Sequence, residues 1–166
     1  MNKLARIFKH LSAARWQIRR RLPKHSMSAI EAAIRDSEKL HMGELRFAVE
    51  AGLDWTELFS GVSSRERAIE VFSNLRIWDT EHNSGVLIYL LLADHKVEIV
   101  ADRGIDARVN KSEWINICRD MESKFRKGDF ESGLLLGIAA ITTLLQRHYP
   151  SHGDHPNELP DRPTVL

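Results

Sequence analysis

The stretch from Asn74 to Ile105, NLRIWDTEHNSGVLIYLLLADHKVEIVADRGI, constrains this chain more than any other. Gly85 opens an apolar run, Val86 to Leu92, in which only Tyr89 carries a polar side-chain atom. A run this short and this apolar suits a strand covered on both faces. Ala93-Asp94-His95 supplies a turn, and Val97, Ile99 and Ala101 then alternate with Lys96, Glu98 and Val100. Strands joined this tightly are antiparallel neighbours. Their flanks, Trp78-Asp79-Thr80 and Asp102-Arg103-Gly104, therefore emerge at one end of the hairpin. Asp79 and Asp102 are expected to approach each other there, and any site is expected at that end.

The rest of the pattern surrounds the hairpin with helices. Glu44 to Glu50 alternates as a first strand, with Leu45, Phe47 and Val49 on one face. Capping boxes at Ser28/Glu31, Ser63/Glu66 and Asn110/Glu113 open three helices, the first running to about Leu40. A short turn is expected at WTELF, residues 55–59. Gly128 ends the third capped helix and Asp129 starts the last, Phe130 to about His148. That last helix is apolar nearly all round between Leu134 and Ile141, so it is expected to be buried. The order helix, strand, helix, strand, strand, helix, helix predicts an α/β layered domain with a mixed sheet. No G-x-G-x-x-G and no P-loop occurs, which excludes a doubly wound nucleotide fold. The tail from Pro150 holds Pro150, Pro156, Pro160 and Pro163 and has little to bury. It is expected to be disordered or loosely attached. The expected units are thus an arm at 1–25, a domain at 26–149 and a tail at 150–166.

Charge sets the arm apart. Lys3, Arg6, Lys9, Arg15, Arg19, Arg20, Arg21 and Lys24 fall in the first 30 residues with no acid. Against a whole-chain charge of +1, the remainder carries −7. Leu4, Ile7, Phe8, Leu11, Ala14, Ile18 and Leu22 lie at helical spacing, with Trp16 beside the stripe and Pro23 closing the segment. Such a helix over residues 4–22 can lie on an anionic membrane or hold a protein partner. A helix docked on its own domain or on a sister chain would show the same stripe. One aromatic in a regular apolar stripe argues against nucleic acid. The lone Cys118 excludes an internal disulfide, and no apolar run reaches the roughly 18 residues that span a bilayer. Basic residues interrupt any signal-peptide core, so the expected location is cytoplasmic, peripheral to a membrane if the arm binds one.

Four segments together resemble the TPM domain family. They are HMGELRFAVE at 41–50, SSRERAIEVFSNLRIWDTEHNSGVLIYL at 63–90, KVEIVADRGI at 96–105 and KGDFESGLLLGI at 127–138. The family takes its name from a thylakoid acid phosphatase, a photosystem II repair protein and a modulator of an acetylcholine receptor. The resemblance spans about Ser26 to Tyr149. It implies a three-layer α/β/α sandwich, a divalent-cation site and an acid phosphatase activity, without fixing a substrate. Many members carry a signal peptide and a membrane anchor. This chain resembles the short soluble branch.

The residues themselves supply candidates for such chemistry. Asp79, Glu81, Asn83, Asp102 and Asp106 put hard oxygens around one end of the hairpin, suited to Ca²⁺ or Mg²⁺ rather than Zn²⁺. The spacing Asp79-x-Glu81-x-Asn83 lacks the downstream Gly and Glu of an EF-hand. Equally, Asp79 could cap backbone amides and Asp102 could pair with Arg103 or Arg46. Phosphatase chemistry would need a nucleophile or a metal-activated water. Cys118 has Lys124, not Arg, six residues on and falls on an apolar helix face. That leaves a metal-activated water with Arg103 as the oxyanion partner, the other reading of Arg103 being a surface or strut residue. His82, His95, His152 and His155 lie in polar segments without zinc spacing. Trp78 and Trp114 are expected in the core. Of Gly85 and Gly104, one is expected to admit a close backbone approach and the other a turn with φ > 0. The chain is therefore expected to be a cation-binding interaction module or, alternatively, a weak metal-dependent acid phosphatase.

Overall fold

A computed structural model of the chain describes residues 3–11, 13, 15–153 and 156–166. Ala14, His155 and the side chains of Leu4 and Leu11 lie outside what it describes. The elements are α1 (Lys3–Leu11), α2 (Arg15–Arg21), α3 (Lys24–Glu38), β1 (Glu44–Glu50), α4 (Trp55–Ser60), α5 (Ser64–Asn74), β2 (Gly85–Leu91), β3 (Lys96–Ala101), α6 (Arg103–Asp106), α7 (Lys111–Phe125), α8 (Phe130–His148) and β4 (Thr164–Val165).

The sheet runs β3-β2-β1-β4. β2 and β3 pair antiparallel as the expected hairpin, Ile88 opposite Ile99. β1 lies parallel to β2, Phe47 beside Ile88, and α4 with α5 forms the connection that parallel neighbours require. Alternate side chains divide the sheet between two cores. Leu45, Phe47, Val49, Val86, Ile88 and Leu90 pack with α2, α3, α7 and α8, whereas Ala48, Leu87, Tyr89 and Leu91 pack with α4 and α5. The molecule is a three-layer α/β/α sandwich with a mixed sheet. Every residue of β1 and β2 is buried, because each face carries a helical layer. Among the described residues no helix is long and apolar enough to cross a membrane.

Capping chemistry fixes the helix starts. Ser63/Glu66 and Asn110/Glu113 form reciprocal capping boxes, as does Asp54/Glu57 ahead of α4. Gly128 takes φ +82° after α7, and Asp129 accepts from the Ser132 amide at 3.3 Å to start α8. The Ser28/Glu31 box does not form. α3 opens a turn earlier, at Lys24, behind extended Pro23, which presets the chain for entry into a helix.

The arm takes the docked alternative, whereas the tail differs from its sequence reading. The arm forms two helices, not one, and its stripe turns inward: Ile18 and Leu22 are each 2% exposed in the main core. His10 is buried, donating through Nε2 to Asp94 Oδ1 (2.9 Å) while Nδ1 accepts from the Leu53 amide (2.9 Å). Phe8 and Trp16 stay exposed. The proline-rich tail is not merely trailing, since Thr164 and Val165 pair parallel with Ala48 and Val49. The anchor is charge on β1. Glu44 accepts from the amides of Glu158 (3.2 Å) and Leu159 (3.1 Å), and Arg46 Nη2 donates to Thr164 Oγ1 (2.9 Å). Burying Glu44 and Arg46 in a strand demands such partners.

Candidate functional site

The loop between α5 and β2 reaches the end of the hairpin through two left-handed residues, Arg76 (φ 52°) and Asn83 (φ 51°). Ile77 is fully buried between them and Trp78 is thrown outward, half exposed, contrary to its expected core position. Ser84 closes the loop. Its amide donates to Thr80 Oγ1 (3.2 Å) and its hydroxyl to the Met42 carbonyl (3.2 Å). Gly85 must be glycine here, because a Cβ would sit 2.1 Å from the Ile77 carbonyl oxygen.

Asp102 begins where β3 ends. Its amide donates to the Gly85 carbonyl (2.8 Å), which ties it to the start of β2. Its Oδ1 caps α6 by accepting from the Arg103 amide (2.7 Å). Its Oδ2 is buried and has no hydrogen-bond partner among the described residues. Arg103 crosses to the loop, Nε donating to Asn83 Oδ1 at 3.1 Å. Gly104 does not take positive φ. Its role is close approach, since a Cβ there would meet the carbonyl oxygens of Asn83 (2.5 Å) and His82 (2.8 Å) and the Tyr149 hydroxyl (2.9 Å).

The structure thus brings together Asn83, Asp102 and Arg103, with the backbone oxygens of His82 and Asn83 close by. It does not gather the other expected ligands into a carboxylate cluster. Asp79 and Glu81 are exposed, and the Glu81 amide donates to Glu158 (3.1 Å to Oε2). Asp106 is exposed on α6 and lines a separate groove of about 590 Å³ with Glu98 and Trp114. Among the described residues no group of three or more His, Cys, Asp or Glu stands close enough to hold a metal. Of the five expected side chains, Asn83 and Asp102 are the two tied together at this end, through Arg103. Glu158, Ser84 and Tyr149 were not legible as neighbours of this end. The only sequence signal was the tail's acidity, and nothing in it specified a register.

Cys118 is half-buried, and burial, with Glu98 adding, pushes its thiol up to about 12. It stays protonated at neutral pH and is no nucleophile.

A family model described as TPM domain matches residues 21–144. The chain belongs to the TPM domain family. Among solved structures, this TPM domain is similar to the BA42 protein of the psychrophilic bacterium Bizionia argentinensis, determined by NMR. The two are 31% identical with a TM-score of 0.72, over 86% of this chain and 93% of that one. The N-terminal domain of a P. gingivalis protein shares the fold, with a TM-score of 0.62 at 17% identity over 80% and 82% of the two chains. Comparison with curated proteins finds no match.

Proposed function

We propose that this TPM domain is a divalent-cation-binding interaction module, with Ca²⁺ or Mg²⁺ held against Asp102 at the end of the β2–β3 hairpin. The observation that carries the reading is the buried, unpaired Asp102 Oδ2. An orphaned buried acceptor costs about 1–3 kcal/mol, more when charged, and a cation removes that cost. Asp102 and Asn83, linked through Arg103, carry hard oxygen donors, which suit these two ions. Asn83 Oδ1 would exchange its Arg103 bond for the ion, freeing the guanidinium. Bound there, the ion would tie the 76–84 loop to the start of α6. Trp78, exposed on that loop, would then offer a partner an ordered aromatic contact. The metal-dependent phosphatase alternative would use the same ion with the freed Arg103 on the phosphoryl oxygens, and it stands or falls with the ion.

Titration calorimetry of the chain with Ca²⁺, Mg²⁺ and Mn²⁺ tests the reading. Saturable heat with one of them, absent in Asp102→Asn, is the expected result. No heat from any of the three, or equal heat in the variant, overturns it.

A further inference from the structure

A groove of about 970 Å³ runs between the arm and the outer edge of the sheet, walled by α2, the start of α3 and the segment leading into β4. Ile18 and Leu22, four residues apart on α2 and almost wholly buried, form its floor. Met27, Pro163 and Val165 extend that apolar surface. Val165 pairs with Val49 and so shares its face of the sheet, the one covered by α2 and α3.

The rim is basic. Arg15 and Arg19 stand about one helical turn apart on α2, Lys24 opens α3, and Arg162 precedes Pro163; all four are exposed. Among the described residues none of these four side chains makes a hydrogen bond or an ion pair. Glu31, the acid of the lining, accepts from Arg35 Nη2 at 3.1 Å. The start of α3 adds to the positive field, because its N-cap Pro23 has no side-chain acceptor and its first turn holds no acid.

The third wall is held in place from two sides. Arg46 donates from β1 to the Arg162 carbonyl (3.4 Å) and to Thr164 Oγ1 (2.9 Å), and Asp161 accepts from Arg35 Nε of α3 (3.3 Å). β4 then leaves one residue open. The Leu166 amide donates to the Val49 carbonyl (3.0 Å), so by alternation the Val165 N–H and carbonyl point away from β1. β4 ends the sheet order, and among the described residues no strand lies beyond it.

We infer that this groove docks an acidic peptide segment of a partner protein, extended along the open edge of β4. The peptide backbone would pair with Val165. Its side chains turned toward α2 would be apolar over Ile18 and Leu22 and acidic at Arg19, Lys24 and Arg162. A small anion would use only the cations, whereas a polypeptide also satisfies the apolar floor and the open backbone groups. A second copy of this chain is disfavoured, because its own edge carries the same cations. The inference goes beyond the cation site at Asp102 and does not rest on it, since the groove shares no lining residue with that site.

The test uses the full chain in EDTA, so that no ion occupies Asp102. The probe is a capped hexapeptide alternating glutamate and valine. Its glutamine counterpart, an N-methylated version that cannot pair as a strand, and phosphatidylglycerol vesicles serve as comparisons. The Val165 amide is followed by heteronuclear NMR for its shift and its hydrogen exchange. Arg19→Glu is set against Arg119→Glu, an equal charge change on α7 outside the groove, and Arg19→Gln serves if charge reversal disturbs the fold. The expected result is a saturable Val165 shift with slowed exchange, weakened roughly tenfold or more by Arg19→Glu and unchanged by Arg119→Glu. The glutamine and N-methylated peptides should bind correspondingly weakly. Equal binding of the N-methylated peptide would overturn pairing at β4 and with it the inference. Sedimentation with the vesicles, lost in Arg19→Glu and unaccompanied by a Val165 response to the peptide, would assign the groove to a membrane and overturn it. No saturable response, or equal weakening by both glutamate substitutions, overturns it as well.

Discussion

Asp102→Asn is expected to reverse the stability order of two proteins when a cation is added. In the wild type, Oδ1 caps α6 at 2.7 Å from the Arg103 amide while Oδ2 is buried without a partner among the described residues. Asparagine keeps an oxygen for the cap and removes the buried charge. Leaving such a group unsatisfied costs about 1–3 kcal/mol. In chelator the variant should therefore be more stable by about that amount, less whatever the new amide fails to satisfy. For a chain of this size about 2–4 °C accompany each kcal/mol, so a Tm higher by a few degrees is expected. Adding Ca²⁺ at a hundredfold excess over Kd stabilises the wild type by about 2.7 kcal/mol through mass action. The wild type then overtakes the variant, which does not respond. Scanning calorimetry of both proteins, with EDTA and with saturating Ca²⁺ or Mg²⁺, reads the crossing directly. A variant that melts lower in EDTA would show that Oδ2 is not an uncompensated group. A wild type that ignores both ions would remove the cation site.

Two further perturbations probe the scaffold. Leu87, fully buried between β2 and α5, should cost about 2–5 kcal/mol on substitution by Ala, read as a lower urea midpoint at unchanged slope; a loss under 1 kcal/mol would contradict the closed second core. Glu38 accepts from the Leu45 amide (2.9 Å), and burial, then the charges of Glu44 and Asp161, raises its carboxyl from 4.5 to about 9. Because the folded state holds this proton more tightly, its contribution is complete below pH 4.5 and drains away as pH rises toward 9. Glu38→Gln should flatten the stability profile across that window, measured by urea denaturation at several pH values, and an unchanged slope would refute the raised pKa.

The sandwich was legible wherever a local period or a cap specified it. The apolar run Val86 to Leu92 announced a strand covered twice, and Ser63/Glu66 and Asn110/Glu113 announced helix starts through short-range hydrogen bonds that depend on few other residues. β4 was not legible. Two residues after Pro163 carry no periodicity, and their pairing is decided by Glu44 and Arg46 far away in sequence. The buried face of β1 did hold a clue, since charges in a strand covered on both sides require partners. For the site, hairpin geometry correctly sent the two flanks to one end. It could not orient their side chains, because left-handed Arg76 and Asn83 rotate the loop between them and leave Asp79 and Trp78 facing solvent. Backbone turns of that kind follow from packing around Ile77 and Gly85, not from residue type at a fixed spacing.

The position of β4 gives the molecule a breakable seal. β1 lies inside the sheet only because Thr164 and Val165 cover its outer edge and the Leu166 amide donates to the Val49 carbonyl (3.0 Å). On the far side, the Ile99 carbonyl of β3 is occupied by Arg65, so that border is guarded by a side chain of the domain itself. A protease that cuts between Pro150 and Glu158 would free the cover to leave β1, and with it Leu159 and Leu166, which pack against the second core. The uncovered backbone would then be a ready template for a strand from another molecule. Clipping would expose an edge able to recruit copies of the same chain, and colloidal stability would rest on a strand two residues long.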